Sequence, residues 1–233
     1  MTLAEFADIL GKDKEKEEFL AFAGQVKERY NSRLLVQDAQ GRWCYKSYEH
    51  KDALVMTQAC EALPLYWGLV PEDKEKDVVA AFRQTLLEKQ AFASGEVGLP
   101  YIIQTASRYG MHDLICAFIT RPEHPSYYAF VKEGLTTLGE YWEENPRSHC
   151  HDMMGHIIEW YYNGLAGIKP LEPGFKKVLI KPYMPESMNY MSCQYESVSG
   201  RIKVTLVREN GTVKLMTEVA DGIVVETDCS NLK

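Results

Sequence analysis

The side chains best suited to chemistry lie between Gly134 and Trp160. One carboxylate, Glu140, stands just ahead of the aromatic pair Tyr141-Trp142 and just after Thr136-Thr137. A polar turn follows at 143–147. Then Ser148-His149-Cys150-His151-Asp152 leads into an apolar segment, 153–165, expected as a helix. An indole face suits the C–H groups of a sugar ring, and a nearby carboxylate can act as a base on water. A Glu beside a Trp is also what a solvated surface turn presents, so the pair alone decides nothing. Metal binding is the competing chemistry, because His149, His151, Asp152 and His156 fall within eight residues. His151 and His156 are five apart, however, and diverge around a helix instead of sharing the i, i+4 face of zinc helices. No metal and no cofactor is expected.

These residues need a scaffold, and hydrophobic patterning outlines one. Residues 2–10 and 13–31 read as two helices split at Gly11. In the second, Phe19, Phe22, Ala23, Val26 and Tyr30 recur at helical spacing, which predicts a one-sided outer helix. Residues 52–67 are apolar nearly all round, with Pro64 kinking or ending a helix covered on both sides. Residues 72–89 are one-sided again, 100–109 apolar all round, and 113–119 form a further helix after Gly110. Alternation of this kind implies two concentric layers, as in an α/α toroid or a stack of helical pairs. Trp43, in a short aromatic segment at 43–48, either lines a sugar site or packs under a loop.

After Ile168 the texture changes. Runs rich in Val, Ile, Thr and Tyr occupy 175–181, 189–198, 201–208, 212–219 and 222–227. Ser199-Gly200, Asn210-Gly211 and Asp221-Gly222 separate the later ones as tight-hairpin signals. The prediction is a helical domain over 1–170 and a small antiparallel β domain over 171–233. So small a sheet needs a partner surface and is expected to pack on the helices.

Composition narrows the partners. The net charge of −7 favours neither a nucleic-acid backbone nor an anionic membrane. Six scattered cysteines without a C-x-x-C pair suit free thiols in a reducing compartment. Neither a secretion signal nor an apolar run of spanning length is seen, so the cytoplasm is expected.

The motifs also carry a resemblance. Thr136-Thr137 with Glu140 and Trp142, Ser148 with His151 and Gly155, Glu159-Trp160 with Leu165-Ala166-Gly167-Ile168, and Pro173-Gly174-Phe175 with Ile180 and Pro182 occur in order. So do Gln58-Ala59-Cys60-Glu61 through Pro71 and Gly95-Glu96-Val97-Gly98-Leu99-Pro100-Tyr101. Together they resemble the C-terminal part of bacterial α-L-rhamnosidases, inverting glycoside hydrolases built on an (α/α)₆ toroid. The resemblance implies a partial toroid followed by a β-sandwich domain, and a rhamnose-containing saccharide as ligand. It implies Glu140 as general base, Trp142 as its aromatic companion, His151 as a rhamnose contact and Tyr127, in the Pro-bounded loop 121–128, as an aromatic near the sugar. Cys150 departs from the family, which usually has Asn before that histidine.

An inverting hydrolase needs a second carboxyl group as acid, and in the family it lies ahead of the region this chain covers. Glu61 and Glu96 are the carboxylates that could approach the site, Glu96 the better placed because its loop enters an inner helix. The chain by itself is therefore expected to be weak or inactive, with a second copy or partner chain covering the open toroid edge. The alternative is a non-catalytic carbohydrate-binding or structural remnant.

Overall fold

A computed structural model gives the fold of residues 2–50, 53–143 and 147–232. The chain forms two compact units, Met1–Glu88 and Lys89–Lys233.

The first unit opens with α1 (Thr2–Ile9) and α2 (Asp13–Leu34), which turn on Gly11 at φ +66°. Lys16 Nζ reaches back to Asp8 at 2.6 Å. The apolar stripe of α2 does not become core: none of its residues is buried, and Phe22 is 66% exposed. The stripe is covered only in part: Tyr30 packs on Tyr45 with ring centroids 5.5 Å apart, whereas Phe22 and Val26 stay exposed. A hairpin of β1 (Leu35–Gln37) and β2 (Trp43–Tyr45) follows. Asp38 closes it by accepting from the backbone N–H groups of Gln40 and Arg42.

The next helix, α3 (Gln58–Tyr66), is shorter than the one expected over 52–67. Thr57 starts it by accepting from the Cys60 N–H at 3.1 Å. Ahead of that cap the Val55 carbonyl accepts from Ser47 N–H, a tertiary bond that competes with helix. Residue 52 of the expected helix lies outside the described residues. Pro64 sits inside the last turn, where the helix runs on to Tyr66. A 3₁₀ turn (Glu72–Lys74) opens α4 (Glu75–Lys89), and its Val78, Phe82 and Leu86 are buried as their spacing predicts.

In the second unit, α5 (Leu99–Arg108) and α6 (His112–Ile119) bury Ile102, Ile103, Ala106 and Ile115. The region read as an aromatic loop contains a helix, α7 (Tyr127–Lys132). Ser126 caps it, accepting from Tyr128 N–H at 3.2 Å. The single helix expected over 153–165 is instead three pieces: a 3₁₀ turn (Asp152–Met154), α8 (Ile157–Trp160) and a π-helical turn (Tyr161–Leu165). Trp160 is fully buried, and its indole lies so close over the π turn that a Cβ on Gly164 would meet it at 2.2 Å. Only glycine fits there.

Six strands complete the unit: β3 (Ile168–Pro170), β4 (Lys177–Ile180), β5 (Tyr190–Ser197), β6 (Gly200–Glu209), β7 (Thr212–Val219) and β8 (Val224–Thr227). They form two three-stranded sheets, β3-β4-β8 and the antiparallel meander β5-β6-β7. The antiparallel sheet domain is as expected, with two differences. β3 begins where the sequence reads as a helix end, because Gly167 at φ +74° lets its backbone close on Lys181. β8 runs parallel to β4, since the chain returns from the meander to that strand's open side. Ile168, Val178, Ile180, Ile202 and Val204, from both sheets, form one core. The sheets dock on the helices through Tyr183, whose ring stacks on His112 at 5.0 Å and whose N–H donates to the Leu165 carbonyl.

Candidate functional site

The loop from Leu135 to His151 carries the site, and backbone hydrogen bonds give it shape. His151 N–H donates to the Leu138 carbonyl at 2.9 Å, and Glu140 N–H to the Ser148 carbonyl at 3.0 Å. Thr137 adds a side-chain bond to the His149 carbonyl. The two arms of the loop are thus laced together, which brings residues eleven apart in sequence, Glu140 and His151, into one neighbourhood. Residues 144–146, the centre of the polar turn expected at 143–147, lie outside the described residues.

Trp142 is fixed from three sides. Its indole N–H donates to the Ser94 carbonyl at 2.9 Å, its ring stacks on Phe130 at 6.1 Å, and Tyr127 meets it edge-on at 5.0 Å. Tyr127 itself is buried, and its hydroxyl donates to the Met154 carbonyl at 2.5 Å. Burial, above all, raises that phenol's pKa. Tyr127, expected as an aromatic near the sugar, thus has its polar end engaged inside the protein while its ring backs Trp142.

Glu96 sits in the turn that leads into α5, where Gly95 accepts from the N–H groups of Gly98 and Leu99. Its carboxylate pairs with His151 Nε2. That bond raises the imidazole's pKa above 6.5; burial opposes the shift, and the charges of Glu96, Glu140 and Asp152 add to it. Glu140 is half-buried, with Arg147 Nη1 at 3.9 Å. Arg147 is in turn held above its ordinary pKa, first by a hydrogen bond to Tyr141 and then by Glu140. A partly exposed guanidinium at that distance is a weak pair, so the Glu140 carboxylate is not tied down by it.

In the second unit Glu96 thus bonds His151 and Glu140 acts on the same imidazole, while Trp142 is anchored to Ser94, two residues before Glu96, with Tyr127 against its ring. Trp43 lies in the first unit, half-buried, with Lys74 Nζ 4.8 Å above its ring. Glu61 also lies there, fully buried, with both carboxylate oxygens accepting from Tyr45 N–H at 3.0 and 3.2 Å. Burial pushes its pKa up to about 8, against the opposing effect of that N–H. Without an exposed oxygen Glu61 cannot protonate a sugar leaving group. Among the described residues no group of three or more His, Cys, Asp or Glu is arranged to hold a metal ion. His149 and Cys150 are exposed. The holding groups that sequence reasoning missed are Ser94 and Phe130; a main-chain carbonyl carries no sequence signal, though Ser94 does adjoin the Gly95-Glu96 turn.

The sequence model for the bacterial α-L-rhamnosidase six-hairpin glycosidase domain matches residues 1–165, and that for the bacterial α-L-rhamnosidase C-terminal domain matches residues 167–223. The chain belongs to the bacterial α-L-rhamnosidase family. The six-hairpin match takes in the helices, and the C-terminal match takes in β3 to β7. Among solved structures, the α-L-rhamnosidase from Dictyoglumus thermophilum superposes with a TM-score of 0.87 at 25% identity, over 97% of this chain and 25% of that one. The Streptomyces avermitilis α-L-rhamnosidase complexed with L-rhamnose gives 0.83 at 20% identity, over 96% of this chain and 22% of that one, a likeness of fold. An α-L-rhamnosidase of Formosa agariphila is 25% identical over 240 residues, covering 97% of this chain and 24% of the relative. The chain spans about a quarter of the length of these relatives.

Proposed function

We propose that this chain supplies the general-base side of an inverting α-L-rhamnosidase site. Glu140 draws the proton from the attacking water, Trp142 carries the face of the rhamnose ring, and His151 binds a ring hydroxyl. The observation that carries this reading is the convergence of Glu140, Trp142 and His151 on one laced loop, each held from behind by a backbone carbonyl. Glu96 serves as the partner of His151; bound to that imidazole, it is poorly placed to be the acid. The reading takes 1–170 and 171–233 as the catalytic and C-terminal domains. The exposed apolar side chains Phe6, Ile9 and Phe22 support a second copy or partner chain over that face, and the free thiols support a cytoplasmic setting.

Calorimetric titration of the chain with L-rhamnose tests the assignment. Binding that weakens at least about ten-fold, or 1.4 kcal/mol, in both Trp142→Ala and His151→Ala is expected. Unchanged affinity in both variants would remove this loop from the site.

A further inference from the structure

A surface of the first unit has features that the Glu140 loop does not explain. Along α2 the residues Glu15, Glu18, Phe22, Val26, Arg29 and Arg33 recur at intervals of three or four, which sets them in one stripe along the helix. All six are exposed, Phe22 to 66% and Val26 to 41%. The stripe is ordered by chemistry, with acids at its N-terminal end, apolar side chains in the middle and arginines at its C-terminal end. Glu18 meets Lys14 at 3.8 Å, an exposed and therefore weak pair. Among the described residues Glu15, Arg29 and Arg33 form no ion pair.

That order points to the partner. A surface docking here must bring apolar groups to Phe22 and Val26, bases to Glu15 and Glu18, and acids to Arg29 and Arg33. The same helix run in the opposite direction supplies all three. Positions 15 and 33 lie nine residues to either side of Gly24, and positions 22 and 26 lie two residues to either side. A two-fold axis at the level of Gly24 therefore sets Glu15 against the partner's Arg33, Glu18 beside the partner's Arg29, and Phe22 against the partner's Val26. Each pairing then occurs twice, as an isologous contact requires. A parallel copy would instead set like charges together. Beside the basic half of the stripe, a groove of about 330 Å³ is lined by Val26, Arg29, Tyr30, Arg33, Leu34 and Tyr48. The partner's Phe22, arriving at Val26, meets the edge of this groove, where an exposed ring finds aliphatic and aromatic walls and the stems of two arginines.

We propose that the chain associates with a second copy of itself through this stripe of α2, the two helices lying antiparallel about a two-fold axis. A second copy here narrows the partner proposed above for the exposed apolar face, rests on that part of the reading, and involves no residue of the Glu140 loop.

Sedimentation of the full chain over a concentration series tests the pairing, with circular dichroism to confirm that each variant is folded. The unsubstituted chain is expected to pass from monomer to dimer as its concentration rises. Phe22→Ala, at an exposed position, weakens dimerisation at least about ten-fold. Glu15→Arg and Arg33→Glu each weaken it at least about three-fold by placing like charges together. The double substitution restores the pairing with its signs exchanged and recovers the affinity to within about two-fold. Such rescue acts only between chains, since eighteen residues of helix hold the two side chains about 27 Å apart within one chain. A chain that stays monomeric at every concentration would overturn the proposal, as would a double variant no better than the single ones. Dimerisation lost in Phe6→Ala but kept in Phe22→Ala would also overturn it, while leaving the wider reading of a covered apolar face in place on α1. A dimer that survives both alanine substitutions would remove that wider reading as well.

Discussion

Two regions of this molecule organise a glutamate in opposite ways. Glu61 lies at the centre of the first unit, fully buried, with its carboxyl gripped by a strand N–H. Glu140 and Glu96 lie on loops of the second unit, partly exposed, next to a histidine and an indole. Perturbed titration often marks function, and by that criterion Glu61, pushed up to about 8, would be chosen. Access decides otherwise. A buried carboxyl whose oxygens point at Tyr45 N–H is a structural acceptor, whereas the loop carboxylates can meet a ligand. In the first region the backbone is served by the side chain. In the second, backbone carbonyls of Ser94, Leu138 and Ser148 serve the side chains by holding the loop that carries them.

The sharpest way to break this contrast is turnover. The chain spans about a quarter of its relatives, and Glu96 is engaged by His151. A base lacking its acid forfeits general-acid assistance of roughly 10²–10⁴-fold. Hydrolysis of an aryl α-L-rhamnoside by the 233-residue chain is therefore expected at no more than about one hundredth of the rate of a full-length relative. Glu140→Gln should abolish what remains. Brisk turnover lost in Glu61→Gln but not in Glu140→Gln would reverse the roles assigned to the two regions.

Stability gives the next largest effect. Glu61→Ala removes the acceptor of a buried N–H and leaves a cavity, at a cost of about 2–4 kcal/mol; Glu140→Ala, on a loop, should cost less than about 0.5 kcal/mol. Urea denaturation of both variants makes the comparison. The pH dependence follows from the same burial. The folded protein holds the Glu61 proton from the ordinary 4.5 up to about 8, so it binds more protons than the unfolded chain across that window. Its contribution to stability is best below pH 4.5 and declines as pH rises towards 8. Glu61→Gln, which cannot ionise, should flatten that decline; an unchanged slope would show that Glu61 is not its source.

The two regions also differ in how far the sequence reveals them. The regular parts are legible: Val78, Phe82 and Leu86 announce the inward face of α4, and Ile202 and Val204 that of β6. Glu140, Trp142 and His151 stand out because they are near in sequence and match family motifs. The losses have physical causes. Thr57 stops α3 short by capping, a local bond that apolar periodicity cannot register. Trp160 lies so close over Gly164 that only glycine fits, in a segment that leaves the α-helix for a π turn that apolar spacing does not announce. The pairing of β8 with β4 and the contact between Glu96 and His151 are long-range, the latter across 55 residues. No spacing rule reaches that far.

That Glu96–His151 contact yields the smallest and most specific expectation. His151 is held above 6.5 chiefly by its bond to Glu96, and less by the charge of Glu140. The pair's contribution is full below about 6.5 and is lost as pH rises through the elevated value, because the imidazole then sheds its proton. Titration of the His151 ring proton by NMR should give a pKa that falls back towards 6.5 in Glu96→Gln. Glu140→Gln should lower it by a smaller amount, since that carboxylate acts through space without a direct bond. Exposure lets solvent screen both effects, so raising the salt concentration should shrink the Glu140 contribution first. If neither substitution moves the His151 titration, the two carboxylates do not share its neighbourhood and the loop lacks the proposed constellation. If Glu140→Gln moves it more than Glu96→Gln, His151 is a direct partner of the base, and the roles of the two loop glutamates are exchanged.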